Sequence, residues 1–406
     1  MKILLISTFF PYPPDEGIKM PVFNLIKEFN LLGHKIILLS FIKEEEKKYI
    51  DILKNFCEKI IVVEHNISKN IVKRILLTLF GSQPYNVYQF YSKKLLRKLK
   101  DVLSLEKIDV IFFDFFTTVK YKEKLKTHLP TILHYHDAVS MLFYRNFVLE
   151  KNLFAKFYWF IQYKKLLKFE NKLQFLFDKI TVVAQKDKDW LVEKSNVDPA
   201  KVEVIPNGVD VEYFYYKFNT NFVEEPYSLL FRGIMSFKPN IDACLYFLES
   251  IYPLLKKELP QVKFFIVGPN PPKKILKYAK NDTSIIITGY VEDIREYIVK
   301  CKINISPMIS GSGIKNKILE SLAMGTPSVV SSIAAEGIPE LKDSENILIA
   351  DTPQEFVEKI KLLFEDEKLY LKLATDGRKL IEEKYTWQKV ALQFCETFNE
   401  IIKKIS

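Results

Sequence analysis

Cysteine and long apolar runs are both scarce in this chain of 406 residues. The four cysteines are scattered, and none of them pair at the spacing of a metal site, which fits a reducing compartment such as the cytoplasm. No stretch approaches the roughly 18 uncharged apolar residues of a membrane span, so none is expected. The apolar start, residues 1–10, meets prolines at 11, 13 and 14 too soon for a secretory signal peptide.

Internal repeats and low-complexity tracts are absent from the sequence. The triplet Asp187-Lys188-Asp189 has the spacing of a carboxylate pair that holds a divalent ion on a diphosphate. Because this triplet follows an apolar strand, we interpret it as the start of a polar helix and expect no metal. Glycoside hydrolysis requires two facing carboxyl groups about 5–10 Å apart, and no such pair stands out.

Positive charge is concentrated in the first half of the chain. Residues 1–200 hold 33 Lys and Arg against 22 Asp and Glu, while the remaining residues hold 27 against 28. A basic half favours an anionic partner, such as an acidic lipid surface, a phosphorylated acceptor or nucleic acid. No recognition motif supports nucleic acid, so we do not expect it as a partner.

The length predicts two domains of about 200 residues each, and the 48% of hydrophobic residues is typical of globular proteins. Apolar strands alternate with amphipathic helices, which predicts an α/β fold with parallel sheets. We predict two Rossmann-like, doubly wound domains facing a central cleft, at residues 1–207 and 208–385. A last helix over 386–406 is predicted to return to the first domain. The predicted strands lie near residues 2–7, 35–40, 60–63, 108–113, 131–135, 179–183, 202–205, 228–232, 262–267, 284–288, 303–306, 328–331 and 347–350.

The most informative segment, residues 311–325, reads as a phosphate-binding turn that opens a short helix. Gly311, Ser312 and Gly313 form a flexible turn whose backbone N–H groups can point at an anion. The apolar spacing that follows predicts a helix over 314–324. Such a turn at a helix N-terminus is a site for a phosphate group.

Two lysines, Lys315 and Lys317, fall in or near the first turn of this helix, where positive charge opposes the helix dipole. That placement is favourable when an anion binds there, and Glu320 then lies within reach of a polar group attached to the anion. The alternative is a surface helix with Ser312 as its N-cap and solvated lysines.

Four segments of the chain carry a resemblance to a known family, in the expected order. They are residues 9–17 with His34, residues 202–210 with Phe214, residues 289–293, and residues 311–330. In these segments the chain resembles the family-4-type (group 1) retaining glycosyltransferases of the GT-B fold, and is most similar to those of bacterial surface-polysaccharide assembly. The resemblance implies a nucleotide-diphosphate sugar bound mostly by the second domain and a glycan or lipid-linked acceptor bound by the first. It also implies retention at the anomeric carbon and no metal or other cofactor.

The resemblance assigns donor-binding roles in the second domain. Glu320 matches the second glutamate of the family's two-glutamate motif, which holds the donor ribose. Ser312 stands where many members carry the first glutamate, which contacts the donor sugar, so the identity of the sugar does not carry over. Val291 lies in the loop on the side of the base. We expect Lys315 and Lys317 to contact the diphosphate, because fixed cations stabilise the charge that develops on the leaving group.

Two other donor positions depart from the family pattern. Many members carry an arginine and a lysine after the first strand of the second domain. Here Arg232 precedes Gly233 instead of following it, and Lys238 comes in the loop beyond. Gly17 matches a loop glycine that lets the backbone approach the donor, although Ile18 replaces its usual glycine neighbour. We assign Lys238 and Gly17 to donor binding.

His136 follows a predicted strand where family members present a histidine to the reacting centre. The resemblance gives it a role in hydrogen bonding to the donor sugar or in organising the acceptor; the alternative is an ordinary loop histidine. Asp137 is expected to orient this histidine or to help bind the acceptor. Arg145, nine residues beyond His136, is a candidate for an anionic group of the acceptor.

Residues 153–177 are aromatic and basic at helical spacing. They predict either a long helix that packs one face on the first domain or a peripheral contact with an anionic membrane surface. The expected protein is a cytoplasmic glycosyltransferase that can associate with the inner face of the membrane. Two rivals share the fold: a nucleotide-sugar epimerase, which needs no acceptor, and a partner subunit that binds a sugar nucleotide without turnover.

Overall fold

The computed structural model describes residues 1–14, 17–64, 77–78, 80–81 and 83–405. The chain divides into two compact units, Met1–Asn207 with Trp387–Ser406 and Gly208–Thr386. Each unit contains one sheet in which the paired strands run parallel, with helices connecting successive strands. This confirms the predicted fold class of two doubly wound, Rossmann-like α/β domains.

In its described residues, the first unit has a seven-stranded sheet with helices on both faces. The strands are β1 Lys2–Ser7, β2 Lys35–Ile42, β3 Lys59–Glu64, β4 Val110–Asp114, β5 Thr131–His136, β6 Lys179–Val182 and β7 Val202–Val204. The helices are α1 Lys19–Leu31, α2 Ile50–Leu53, α3 Tyr85–Gln89, α4 Lys93–Leu105, α5 Val119–Lys124, α6 Val139–Leu149, α7 Leu153–Leu176 and α8 Gln185–Ser195. The strand order is β3-β2-β1-β4-β5-β6-β7.

The second unit holds six strands. They are β8 Glu225–Arg232, β9 Lys263–Val267, β10 Ile285–Gly289, β11 Cys301–Ser306, β12 Ser328–Val330 and β13 Leu348–Ile349. The helices are α9 Lys238–Tyr246, α10 Tyr252–Glu258, α11 Lys273–Asn281, α12 Ile294–Lys300, α13 Asn316–Ala323, α14 Ser332–Ala335, α15 Pro353–Glu365 and α16 Glu367–Lys384. The strand order is β10-β9-β8-β11-β12-β13. The chain then continues into α17, Trp387–Ile405.

The core of the first unit fills both faces of its sheet, because successive side chains of a strand point to opposite faces. Leu4 and Ile6 belong to one buried cluster, and Ile3 and Leu5 belong to the other. Helix α17 packs with α1 on the second of these faces, where Phe394 lies 5.3 Å from Phe112 between ring centroids. The C-terminal helix is therefore part of the core of the first unit.

Both sheets reverse their winding direction at one point. Strands β1 and β4 are neighbours in the first sheet, and β8 and β11 are neighbours in the second. In open parallel sheets, ligands bind beyond the carboxyl ends of the strands at this point of reversal. The loops that follow β1, β4, β8 and β11 are thus the places to examine for a site.

Helices α6 and α7 form a hairpin on the first unit. Helix α7 begins where Asn152 accepts a hydrogen bond from the N–H of Ala155 at 3.0 Å, as an N-cap residue does. It spans Leu153–Leu176, which confirms the long helix predicted over 153–177. Among the helices in the described part of the chain, none is both long and apolar enough to cross a bilayer.

Candidate functional site

Two glycines bring the backbone of β8 and β9 into close approach where these strands end. Gly268 has a φ of +144°, and a Cβ on it would lie 1.9 Å from the carbonyl oxygen of Gly233, whose own φ is +151°. Glycine alone fits both positions. Beyond them, Asn240 donates from Nδ2 to the carbonyl oxygen of Ile234 at 3.0 Å, which fixes the loop after β8.

The turn before α13 is wrapped around the ammonium of Lys315. The Nζ atom donates to the carbonyl oxygens of Ser312 at 2.6 Å and Gly313 at 3.1 Å. Gly311 and Gly313 adopt φ values of +136° and +63°, and a Cβ on Gly311 would lie 3.2 Å from Cε of Lys315. Lys315 therefore holds the shape of the turn and keeps a positive charge at the N-terminus of α13.

Helix α13 is shorter than the sequence predicts. It spans Asn316–Ala323 instead of 314–324, and Lys315 occupies the N-cap position in an extended conformation. The alternative in which Ser312 caps the helix is therefore wrong. The difference arises because the left-handed conformation of Gly313 and the extended Lys315 delay the first helical residue.

Glu320, the predicted ribose ligand, is held by an arginine. Its Oε2 atom accepts a hydrogen bond from Nη1 of Arg232, and both side chains are buried. Arg232 also donates from Nη2 to the carbonyl oxygen of Lys317 at 2.6 Å. Since Arg232 is the last residue of β8, this pair links the loops after β8 and β11, where the sheet reverses its winding.

Lys317 is half-buried in the same cluster. Its Nζ atom donates to Oδ1 of Asn240 at 2.9 Å and lies 4.5 Å from the ring centroid of Phe231. Burial, followed by the charges of Arg232 and Lys315, lowers the pKa of Lys317 to about 7. A bound anion would reverse this effect, because it favours the charged ammonium.

The base-side loop runs between β10 and α12. Gly289 ends β10 with a φ of +72°, Val291 is half-buried, and Asp293 caps α12 by accepting from the N–H of Arg295 at 2.9 Å. The guanidinium of Arg295 lies 4.0 Å from the ring centroid of Tyr213. Burial and then the charge of Asp293 raise the pKa of Tyr213, and Glu320 adds to the effect, while Arg295 opposes it.

Three other predicted site residues are Lys238, Arg145 and Gly17. Lys238 begins α9 and pairs with Asp242 at 2.9 Å. Arg145 is half-buried within α6. Gly17 is exposed, and a Cβ on it would meet no atom within 4 Å, so its surroundings do not require glycine. Residues 15 and 16 of the predicted donor loop lie outside the described residues.

In the first unit, His136 lies at the carboxyl end of β5, the neighbour of β4, and β4 is one of the two strands where that sheet reverses its winding. It ends β5 with a φ of +65°, in the left-handed region that few residues other than glycine adopt. Its Nε2 atom lies 2.8 Å from Oδ1 of Asp114, and Oδ2 of Asp114 accepts from the hydroxyl of Ser7 at 3.0 Å. An ionised Asp114 only accepts, which places a proton on Nε2 and leaves Nδ1 of a neutral ring as an acceptor.

Asp114, at the end of β4, is thus a carboxylate that orients His136. A second ring, His134, lies 3.9 Å from His136 between centroids. Burial, together with the nearby His136, holds the pKa of His134 well below its usual value. His134 is therefore neutral.

A buried carboxylate holds β5, the strand that ends at His136. Glu170 of α7 accepts from the hydroxyl of Tyr135 at 2.9 Å, and from the N–H and hydroxyl of Ser140 at 2.9 and 2.6 Å. The hydroxyl of Ser195 donates to the same carboxylate at 2.5 Å. Burial raises the pKa of Glu170, although these hydrogen bonds oppose the shift. The network fastens α6, α7 and α8 to β5.

Asp187, from the triplet with metal-ligand spacing, has a structural role in the same region. It is fully buried in the first turn of α8, and its Oδ1 atom accepts from the N–H of Ala138 at 2.8 Å. Asp189 accepts from Nε2 of Gln185 at 2.8 Å. The predicted start of a polar helix at this triplet is confirmed.

Asp114 and Glu170 were not predicted from the sequence, and Arg232 had no predicted role. Asp114 closes the apolar run Val110–Asp114, and a carboxylate at the carboxyl end of a parallel strand is a signal for a site. Glu170 is the only acidic residue of the aromatic and basic helix α7, which sets it apart. Arg232 likewise closes an apolar strand.

Two family descriptions match most of the chain. Residues 226–366 match the sequence model described as "Glycosyl transferases group 1". Residues 17–213 match the one described as "Glycosyltransferase Family 4". The first match contains Arg232, Lys317 and Glu320, and the second contains His136 and Asp114.

Individual proteins are similar over different lengths. An "uncharacterized 44.6 kDa protein in cps region" of Klebsiella pneumoniae is 23% identical over 98% of this chain and 99% of its own length. The Escherichia coli "UDP-Gal:alpha-D-GlcNAc-diphosphoundecaprenol alpha-1,3-galactosyltransferase" is 29% identical over 36% of this chain and 41% of its own. In structure, sucrose-phosphate synthase from Thermosynechococcus elongatus matches with a TM-score of 0.73 and 15% identity over the full length of both chains. This likeness shows the GT-B fold.

Proposed function

Because the chain belongs to the group 1, family 4 type of glycosyltransferases, we propose that it moves a sugar, with retention and without a metal, from a nucleotide-diphosphate sugar to a lipid-linked glycan. The products would serve the synthesis of a cell-surface polysaccharide. The observation that carries this proposal is the cluster of the buried Arg232 and Glu320 with the half-buried Lys317, next to the turn at 311–313.

The cluster supplies what a departing nucleoside diphosphate requires. Charge develops on the diphosphate as its bond to the sugar breaks, and fixed cations at a helix N-terminus stabilise that charge. Lys315, Lys317 and Arg232 provide three such cations around the start of α13. They provide the positive charge that a divalent ion provides in other enzymes, which supports a reaction without metal. Glu320 would accept from the ribose hydroxyls.

The proposed chemistry is attack on the donor face from which the diphosphate leaves. The acceptor oxygen forms a bond to the anomeric carbon as the bond from that carbon to the phosphate oxygen breaks. The proton of the acceptor hydroxyl passes to the departing diphosphate. Lys317 would hold that diphosphate, and Gly311, Ser312 and Gly313 would bring backbone groups to it.

The acceptor side of the proposal rests on the first unit. His136, oriented by Asp114, can hydrogen-bond a hydroxyl of the donor sugar or of the acceptor. Asp137 and Arg145 are proposed to bind the acceptor. The relative that uses a diphosphoundecaprenol acceptor and the relative from a cps region support a lipid-linked acceptor in surface-polysaccharide synthesis. The excess of lysine and arginine in residues 1–200 supports work at the inner, anionic face of the membrane.

The test is transfer to a diphosphoundecaprenol-linked sugar from a panel of UDP-, GDP-, ADP- and TDP-sugars, with and without a chelator. We expect one donor to give a product whose new linkage keeps the anomeric configuration, as read by NMR, and whose formation is unaffected by the chelator. Inversion, or dependence on added divalent ion, would contradict the proposed mechanism.

The same assay run without acceptor separates the rivals. An epimerase changes the donor in acceptor-free solution, whereas the proposed transferase leaves it intact apart from slow hydrolysis. Binding of a nucleotide sugar with no product under either condition would favour a non-catalytic partner subunit, in which Ser312 in place of the first motif glutamate has removed activity.

A further inference from the structure

One face of α7 is exposed from the beginning of the helix to its end. Positions three or four residues apart share a face of an α-helix, and here every member of one such series is exposed. This series, which we call the α7 stripe, consists of Leu153, Phe157, Phe160, Lys164, Lys168, Lys172 and Phe175. Its first half is apolar and its second half is mostly basic.

The turn between α6 and α7 extends the apolar half of the stripe. Phe154 is 89% exposed, Leu153 is 79% exposed and Phe157 is 61% exposed. Val148 and Leu149, at the end of α6, are also exposed. We call residues 148–157 the hairpin tip. Soluble monomers rarely leave large apolar patches in water, so this tip is suited to a partner that covers it.

The charge around the stripe is positive. Lys156 lies 5.4 Å from the ring centroid of Phe147, and Lys164 lies 5.7 Å from that of Phe160, so ammonium groups border the rings. The one carboxylate of α7, Glu170, is fully buried in its network of hydroxyls. In the tip, Glu150 accepts from the backbone N–H of Lys151 at 3.0 Å.

An anionic bilayer can bind both the apolar half and the basic half of this surface. Aromatic rings occupy the boundary between headgroups and acyl chains, while lysines reach the phosphates. A second copy of the chain is a poorer occupant, because it would bring an identical positive stripe against the first. An acidic protein partner would meet the lysines but leave the rings at the tip without an apolar environment.

The opposite face of α7 is anchored in the first unit. Leu166, Phe169 and Leu173 are buried in its core. Glu170 bonds Tyr135, the residue before His136 in β5. A surface held by the stripe therefore has a fixed position relative to the candidate acceptor histidine.

We infer that the α7 stripe and the hairpin tip bind an anionic lipid bilayer, which presents the lipid-linked acceptor to the enzyme. The purpose of this contact rests on the proposed function. The binding itself requires neither donor nor turnover, so the two can fail separately.

The test is flotation of the full chain with vesicles of equimolar phosphatidylglycerol and phosphatidylcholine, compared with vesicles of phosphatidylcholine alone, at low and high salt. We expect binding to the anionic vesicles that weakens with salt. Phe154→Ser/Phe157→Ser should reduce the partition coefficient by more than tenfold, since each ring leaves an apolar environment. Each of Lys164→Gln, Lys168→Gln and Lys172→Gln should reduce it about fivefold.

The matched control is Leu105→Ser, at the end of α4 in the same unit, where the side chain is 77% exposed but lies off the stripe. It should bind vesicles like the unaltered chain. Each variant is also melted and titrated with nucleotide in the absence of lipid, so that misfolding or a lost donor site is recognised. Failure of the unaltered chain to float at low salt, equal flotation of the Phe154→Ser/Phe157→Ser variant, or a dimer that dissociates in that variant would overturn the inference.

Discussion

Arg232 donates to the carboxylate of Glu320 across 88 residues of chain, and both side chains are buried. The pair brings the last residue of β8 against the helix that follows β11. A carboxylate that is held in this way, and that we propose to bind the donor ribose, keeps its orientation before the donor arrives. Pre-organisation of this kind reduces the cost of ordering a ligand site.

The first prediction concerns this pair. Arg232→Gln leaves Glu320 buried without its cation, and loss of one partner of a buried ion pair costs about 3–5 kcal/mol in the free energy of unfolding. Urea unfolding measures the loss. Lys263→Gln is the matched control, because its pair with Glu225 lies at the opposite end of the sheet and is partly exposed, where such pairs contribute about 0–1 kcal/mol. Equal losses in the two variants would contradict the role given to the pair.

A second prediction follows from Lys317, whose pKa in the free protein is about 7. A bound diphosphate raises this pKa, so affinity for a nucleotide sugar should be highest below pH about 7 and should fall as the pH rises above it. Calorimetric titration across this range measures the slope. Lys317→Met should bind more weakly and lose this slope; an unchanged pH profile in the variant would remove Lys317 from the diphosphate site.

The same lysine affects stability without ligand. Its pKa falls from 10.5 to about 7 on folding, so the folded chain binds fewer protons than the unfolded chain between these values. The free energy of unfolding should therefore increase, through Lys317, as the pH rises from about 7 to 10.5, and it should decrease as the pH falls through this range. Thermal melts of the unaltered chain and of Lys317→Met, compared over the same pH range, isolate the contribution.

A third prediction concerns Asp114. Asp114→Asn keeps the size of the side chain but removes the charge that holds the proton on Nε2 of His136. Transfer to the acceptor should fall by roughly 10²-fold, a loss comparable to that of one oriented hydrogen-bond group at a reacting centre. Nucleotide affinity should not change, because the residues proposed to hold the diphosphate and the ribose, Lys315, Lys317 and Glu320, lie in the second unit. Equal activity of the variant would show that Asp114 does not orient a reacting group.

A fourth prediction concerns the network of Glu170. Glu170→Ala leaves the buried Ser140, Ser195 and Tyr135 without their shared acceptor, and unsatisfied buried polar groups cost about 1–3 kcal/mol each. At the lower end of that range, three such groups cost about 3 kcal/mol, so the variant should lose at least this much in its free energy of unfolding, measured with urea. Glu193→Ala, on the exposed surface of α8, should change stability by less than about 0.5 kcal/mol. A small loss for Glu170→Ala would show that the hydroxyls find other partners.

The strands of this fold were predictable, because apolar runs of four to eight residues between turn residues are a local property. Each strand from β1 to β13 overlaps its predicted range. The start of α13 was predicted two residues early, since the conformations of Gly313 and Lys315 depend on the ammonium folded under the turn. Helix α16, which follows Asp366 as its N-cap, was not predicted, although its cap is a local signal.

The site was predictable only in part. Lys315, Lys317 and Glu320 stand close in sequence, so one motif predicted them together as donor contacts. The pairs Arg232 with Glu320 and Asp114 with His136 depend on neighbouring strands of a sheet, and the sequence does not state which strands are neighbours. Sheet order is a long-range property, and it decides which side chains meet at the carboxyl edge.

The measurement that tests the central claim most directly is calorimetric titration of the chain with UDP, GDP, ADP and TDP. We expect one nucleotide to bind, Lys317→Met and Glu320→Gln each to weaken it by about tenfold, as loss of a charge-assisted hydrogen bond does, and Lys263→Met to leave it unchanged. Binding of no nucleotide, or equal affinity in all variants, would contradict the donor site at the start of α13.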